Sequence, residues 1–236
     1  PFAHFGSHVT LIEALDRILP MMDEDVSAGV AKGLKALGAE VLTGTRVERI
    51  SDRDGRTWVT AGGRDIPADK VVVAVGRAPV ADCLGKLAGK IAMKDGHVVV
   101  DDCCRTSVPG VYACGDLTDR ANLASAAFKM GEAAAACAMG RTTPVDLSRV
   151  PNCVHTEPEA ASVGLTEREA RAKYGDRLLV GKFPFGGNGM ALASDMTEGF
   201  VKVLAEKETG EFVGVHVLGG YASELISEVG DLMTGE

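Results

Sequence analysis

The chain has 236 residues, 46% of them apolar, with 29 glycines and a net charge of −8 spread along it without a basic stripe. That length fits one large or two ordinary domains, and the glycine content favours an α/β protein with tight turns over a helical bundle. The acidic balance argues against nucleic acid and anionic membranes as partners, and no apolar run reaches the roughly 18 residues that span a bilayer.

The residues from Pro1 to Val9 carry two histidines and no Lys or Arg, so nothing there reads as a signal peptide, and a cytoplasmic location is expected. Both chain ends read as cut through structure: the first residue is Pro1, and Glu236 closely follows a helix-like stretch. V-T-L-I-E at Val9–Glu13 predicts a strand ending on an acid. Val26, Val30, Leu34 and Leu37 recur at helical spacing, which predicts a helix over Asp23–Leu37 stopped by Gly38. Strands are then expected at Ala39–Leu42, Val47–Ile50, Thr57–Thr60 and Lys70–Val75, separated by D-R-D-G-R and A-G-G-R turns. A strand, a helix and a second strand in that order make half of a doubly wound nucleotide-binding unit.

Further along, His97–Val100 and Val111–Cys114 predict strands, and an Ala-rich helix is expected from about Leu123 to Met139. R-T-T-P-V-D at Arg141–Asp146 reads as a linker. After it the texture changes: Lys182–Phe185, Gly199–Leu204 and Phe212–Leu218 predict antiparallel strands, with helices at Thr166–Ala172 and Ala222–Met233. Strands with helices on one face suggest an α+β domain. The expected architecture is therefore α/β: partial doubly wound FAD/NAD(P)-binding domains, then an α+β dimerisation domain with an antiparallel sheet.

Six cysteines stand at 83, 103, 104, 114, 137 and 153, with no C-x-x-C pair and no H-x-x-x-H, so no metal site is expected. Adjacent Cys103 and Cys104 allow a strained vicinal disulfide, but two reduced thiols in a turn are the better reading. His4, His8, His97 and His216 lack partners at telling spacings and read as core or surface.

The chemistry concentrates in T-S-V-P-G-V-Y-A-C-G-D-L-T-D-R-A-N-L-A-S-A-A-F-K-M-G, Thr106–Gly131. A buried strand is expected to run into Gly115-Asp116, with a helix starting seven residues later. Ligands in open α/β sheets sit beyond the carboxyl ends of strands, where a carboxylate can accept hydrogen bonds from sugar hydroxyls. The helix start aims free N–H groups and a positive dipole end at whatever lies above it.

This segment resembles the second flavin-binding motif, T-x-x-P-x-[VIL]-[YF]-A-x-G-D, of the pyridine nucleotide–disulfide oxidoreductases. The resemblance implies that Asp116 binds the FAD ribityl chain and that Leu123, Ala124 and Ser125 line the flavin. Ser125 stands where many members have His, so only its position and backbone contact carry over. V-V-V-A-V-G-R-A-P at Val71–Pro79 resembles the return from the nicotinamide domain to the flavin domain, with Gly76 approaching the dinucleotide. Glu13 falls where an acid binds the adenosine ribose hydroxyls and repels a 2′-phosphate, which implies NAD rather than NADP despite nearby Arg17. Val47 matches a position that packs on adenine. E-A-L-D-R-I-L-P-M-M-D and the later V-P-N-C-V-H-T-E-P-E-A-A-S-V-G-L-T-E, K-F-P-F and T-E-G-F-V-K-V-L-A-E-K-E-T-G-E-F-V-G-V-H-V-L-G are most similar to the dihydrolipoyl dehydrogenase branch.

On that resemblance, residues 1–74 are the later part of an NAD-binding domain, 75–146 the second FAD-binding segment, and 147–236 a dimerisation domain. The family forms a twofold homodimer through that last domain, and its lipoamide branch serves the lipoyl domains of 2-oxoacid dehydrogenase or glycine cleavage complexes. The implied relay passes electrons from a dihydrolipoyl dithiol through a disulfide and FAD to NAD⁺. The family's redox C-x-x-x-x-C, its first G-x-G-x-x-G loop and its H-P-T-x-x-E segment do not occur here, so no catalytic residue is assigned, His155 and Glu157 included. The chain by itself is expected to lack lipoamide-dependent NADH formation. Alternatives are a mercuric or coenzyme A disulfide reductase of the same family, or a non-catalytic dimerisation module.

Overall fold

Thr10–Ile12 (β1) pairs in parallel with Glu40–Leu42 (β2), and the connection between them is the helix Glu24–Ala36 (α1). Asp23 caps α1, its carboxylate accepting from the Asp25 amide at 3.1 Å; Glu24 and Asp25 occupy the first turn and Lys35 the last, in step with the helix dipole. Gly38 at φ +82° ends it in the left-handed conformation that a residue with a Cβ resists. Val47–Arg53 (β3), Arg56–Ala61 (β4) and Arg64–Ala68 (β5) then form an antiparallel meander. The computed structural model describes residues 1–234. By internal contacts the chain divides into two units, residues 1–73 with the segment from 153 onward, and residues 74–152.

Lys70–Val75 is not a strand, contrary to expectation. Gly62 and Gly63, both at positive φ, reverse the chain tightly, so pairing resumes at once with β5 and the meander is complete by Ala68. The V-V-V-A-V run then has no strand beside it among the described residues, and Val75 is left 93% exposed. Apolar, β-branched composition promotes a strand only where a ladder exists to join.

The second unit holds a small ladder of Met93–Lys94 (β6) and His97–Val98 (β7), and the helix Ala124–Ala138 (α2). Its core joins Ile91, Val98, Val100, Cys104 and Met130. Val111–Cys114 contributes one isolated bridge, Arg105 to Tyr112, rather than the expected strand. The strand expected at His97–Val100 is likewise confined to two residues.

From Asn152 the chain builds Asn152–Val154 (β8), Ala160–Gly164 (β9), Glu167–Tyr174 (α3), Leu178–Pro184 (β10), Gly189–Ala193 (α4), Phe200–Glu206 (β11), Phe212–Leu218 (β12) and Ala222–Thr234 (α5). The sheet order is β10-β11-β12-β9-β8, five strands where three were expected. Ala160, Phe200 and Leu218 pack with Val26 and Val30 of α1, while Ala161, Val163, Val215 and Val217 pack with Ala222 and Ile226 of α5. Both faces of the central strands are thus covered, which is why β12 reads as a nearly continuous apolar run instead of an alternating one. Short β8 and Ala-rich β9 carried too little periodicity to be found in the sequence. Gly235 and Glu236, the end of the expected third domain, lie outside the described residues. Among the described residues no helix is long and apolar enough to cross a membrane, and no cluster could hold a metal ion.

Candidate functional site

Cys114 is extended, and Gly115 at φ +73° turns the chain into a short 3-10 turn, Gly115–Leu117. The amide and hydroxyl of buried Thr118 both donate to the Gly115 carbonyl, at 2.9 and 2.8 Å, and lock that turn. A Cβ on Gly115 would lie 3.4 Å from the Ala127 Cβ, so the turn packs against α2. Asp116 is thereby held at the surface, half exposed, with one carboxylate oxygen 2.7 Å from the Arg77 guanidinium. Arg77 and Asp116 line a recess of about 260 Å³ together with Pro79, Val80, His97 and Asn122. His97 donates from Nδ1 to the Asp95 carbonyl at 3.2 Å, which fixes its ring.

Leu123 is the extended residue before α2, and no side chain caps that helix. Helix starts leave backbone N–H groups without an intrahelical partner, so those of Ala124 and Ser125 remain available to a ligand. The Ser125 hydroxyl donates to the Pro151 carbonyl at 3.3 Å, so its side chain is engaged and only its backbone faces outward as a donor. Asp116, Leu123, Ala124 and Ser125 therefore belong to one unit, and Gly76 precedes Arg77 in that same unit. Gly76 sits at φ +128° with nothing within 4 Å of the place a Cβ would take. Backbone conformation, not crowding by protein atoms, selects glycine there. A carboxylate with one committed oxygen, an uncapped helix start and an open recess suit a polyhydroxylated ligand carrying negative charge, and in that sense the residues fit a flavin.

Glu13 and Val47 lie in the other unit. Glu13 extends the β1–β2 ladder, its amide donating to the Leu42 carbonyl at 2.8 Å, and its carbonyl accepts from Thr45 at 3.0 Å. One of its carboxylate oxygens accepts from the Leu15 amide at 2.8 Å. Val47 follows at the start of β3 and is 41% exposed. Glu13 stands at the carboxyl end of the parallel pair, where nucleotide sites form, and Val47 opens the meander that follows it. Arg17 points elsewhere: it bonds Glu24 at 2.9 Å and the Pro20 carbonyl at 2.8 Å.

A buried polar cluster was not foreseen from the sequence. Ser162, His216, Lys202 and Lys182 are register neighbours across β9, β12, β11 and β10. Lys202, 3% exposed, bonds Asp23 at 2.8 Å and Asp25 at 3.1 Å, and also pairs with Glu167. Burial opposes the ammonium, but these three carboxylates outweigh it and hold the Lys202 pKa above its ordinary value. Burial likewise pushes Asp23 up, yet Lys202, the Glu167 amide and His216 bring it below the usual carboxylate range. His216 is kept neutral chiefly by burial. Its Nε2 lies 3.0 Å from the Leu165 carbonyl, which only accepts, so that nitrogen carries the proton and Nδ1 faces the Ser162 hydroxyl at 3.0 Å. The missed signal was the alternation along β11, which places a lysine on a buried face. His155, to which no role was given, pairs with Glu159 at 2.7 Å, and Glu159 is anchored by the Ser223 amide and hydroxyl at 3.1 Å each.

Residues 1–131 match the family model described as pyridine nucleotide-disulphide oxidoreductase, and residues 150–236 match that of its dimerisation domain. A dihydrolipoyl dehydrogenase of Bacillus subtilis is 40% identical over 100% of this chain and 52% of its own length. One from Thermus scotoductus is 42% identical, over 96% of the chain and 50% of its own length. Among solved structures, LpdA from Mycobacterium tuberculosis superimposes with a TM-score of 0.90 at 28% identity, covering 99% of the chain and 51% of that protein. The chain thus spans about half the length of the relatives it matches.

Proposed function

The chain belongs to the pyridine nucleotide–disulphide oxidoreductase family, and on that premise we propose that it carries the later nucleotide-binding and dimer-forming parts of an FAD- and NAD-dependent dihydrolipoyl dehydrogenase. Residues 1–74 are assigned to NAD binding, 75–146 to FAD binding, and 147–236 to dimerisation. The observation that carries the reading is the carboxylate of Asp116 set in an open recess on Gly115, one oxygen on Arg77, in the same unit as the uncapped start of α2.

When bound, flavin and nicotinamide supply the two-electron and hydride chemistry. Asp116 accepts hydrogen bonds from ribityl hydroxyls with the oxygen that Arg77 leaves open. Leu123, Ala124 and Ser125 line the ring, and the backbone N–H groups of the α2 start favour negative charge beside them. Glu13 accepts from the adenosine ribose hydroxyls and disfavours a 2′-phosphate. Arg17, committed to Glu24 and Pro20, does not offset that preference. Val47 packs on adenine, and Gly76 leaves the backbone open to the dinucleotide. The electron donor in this reading is a dihydrolipoyl group on a lipoyl domain of a 2-oxoacid dehydrogenase or glycine cleavage complex, and two copies of the chain pair through their C-terminal domains. Family resemblance over the whole chain and relatives named dihydrolipoyl dehydrogenase support this choice over a mercuric or coenzyme A disulfide reductase.

Titration of the purified chain with FAD, read by quenching of flavin fluorescence, tests it. Asp116→Asn should weaken binding about tenfold, the ~1.4 kcal/mol of one good hydrogen bond to a charged acceptor. Equal affinity of the variant and the original chain removes Asp116 from the site. A chain that dimerises but takes up no flavin retains only the dimer-forming role.

A further inference from the structure

The arginines of the meander stand apart in the sequence and together on the sheet. Successive side chains alternate across a strand, and the register sets Arg53 opposite Arg56, Ser51 opposite Trp58 and Arg49 opposite Thr60. These six therefore share one face, while Ile50, Val59 and Ile66 share the other. Asp54 and Gly55, at φ +53° and +74°, supply the tight turn that fixes this pairing. Trp58, the single tryptophan of the chain, is half-buried on the first face. The Arg53 and Arg56 guanidinium groups lie 5.9 and 5.7 Å from its ring centre.

Left to itself, this arrangement works against the fold. Like charges directly opposite one another destabilise an antiparallel pair. Asp65 neutralises one of the two: it pairs with Arg53 at 2.7 Å, and its second oxygen accepts from the Thr60 hydroxyl at 2.7 Å. Arg56 forms no ion pair among the described residues, and both it and Arg49 are exposed. The Ser51 hydroxyl, across from Trp58, is shielded from solvent without a hydrogen-bond partner. Local stability accounts for none of these features, whereas an anionic partner would relieve the charge opposition. We propose that this face of the meander is a docking surface for an acidic segment of a partner protein, whose carboxylates pair with Arg56 and Arg49 and whose apolar atoms cover Trp58. The planar fork of arginine matches a carboxylate with two hydrogen bonds, and Trp and Arg are the residue types in which interface energy concentrates. The chain's net charge of −8 opposes long phosphate polymers and anionic membranes, whose fields reach past one patch, while a short acidic segment meets the patch alone. The assignment stands independently of flavin and nucleotide binding.

Because the chain has one tryptophan, its emission reads this face directly. Acetylated hexaglutamate added to the full chain at low ionic strength should shift that emission saturably, and added salt should reverse the shift. Arg56→Gln should weaken binding about fivefold, and Arg49→Gln/Arg56→Gln further, whereas Arg141→Gln, which removes the same charge from the linker, should leave it unchanged. Circular dichroism checks that each variant keeps its fold. Emission that hexaglutamate leaves unchanged, or a folded Arg49→Gln/Arg56→Gln variant of undiminished affinity, would overturn the proposal. So would tighter binding of a single-stranded oligonucleotide or of phosphatidylserine vesicles than of the peptide.

Discussion

Lys202 shows how much one residue decides. Its ammonium lies among three carboxylates, and Asp23 beside it is 2% exposed. Replacing it with Met preserves length and apolar contact but strands Asp23 as an unpaired buried charge, at a cost of about 3–5 kcal/mol. The Asp23→Asn/Lys202→Met double variant should recover part of that loss, because Asn is neutral and its single oxygen still accepts from one of the two amides, Asp25 or Glu167, that the two carboxylate oxygens of Asp23 serve. Urea unfolding measures both, and a Lys202→Met loss below about 1 kcal/mol would show the pair to be solvated. The same cluster fixes the pH dependence. Lys202 hydrogen bonding depresses Glu167, and Lys182 followed by Lys202 depresses Asp25, so with Asp23 they contribute stability that is complete above about pH 4 and lost as pH falls further. His216 is depressed as well, so its contribution is present above about pH 6.5 and lost as pH falls toward its folded value. Lys202 is raised, so its share is complete below about pH 10.4 and lost only as pH rises through the folded value. The thermal midpoint should therefore be flat only from about pH 7 to 8, fall above that as the unfolded chain ionises thiols that burial keeps protonated at Cys104 and Cys153, and fall in two acid stages, with His216→Gln removing the first of these.

At the scale of elements, α1 illustrates a conflict between propensity and packing. Ala is better than Gly inside a helix by about 1 kcal/mol. At Gly33, however, a Cβ would stand 2.4 Å from the Pro158 ring and 2.7 Å from the Glu157 carbonyl. Displacing backbone costs about 1–3 kcal/mol, so Gly33→Ala should lower stability on balance, and a higher thermal midpoint would mean that the 157–158 loop yields. No sequence pattern announced that approach; only the glycine itself did. Periodicity found α1, α2, α3, α5 and β12 because each buries a continuous face that repeats with its own period. It misplaced Lys70–Val75 and Val111–Cys114 because a strand is a property of two segments, and the partner is not written in the run itself. Asp116 was legible because motif order, Gly-Asp and helix start all lie within one short segment. Arg77 and His97, which share its recess, come from distant stretches and left no such mark.

On the scale of the whole molecule, the distribution of exposed apolar side chains gives the last prediction. β10 is the edge of the five-stranded sheet, paired only with β11 among the described residues. Along it and the adjoining helix α4, Phe183 is 52% and Leu192 59% exposed, with Leu179 and Met190 also open. Edge strands of monomers are normally guarded by charge or proline, and a stable protein interface buries about 800 Å² per partner with its energy in a few large apolar residues. Of the guards on this edge, Lys182 is drawn to Asp25 at 2.9 Å and Pro184 stands only at the last position of the strand. A second copy laid on this surface removes the edge and covers the Phe183 ring and its exposed aliphatic neighbours together. Light scattering should therefore give twice the chain mass, and the Phe183→Glu/Leu192→Glu variant should weaken association at least a hundredfold, about 2.7 kcal/mol. Circular dichroism of the variant separates loss of pairing from loss of fold. A chain that remains a monomer at tens of micromolar, or a folded variant that still pairs, would place the dimer contact on another face, with α5 and its exposed Leu232 the next surface to alter.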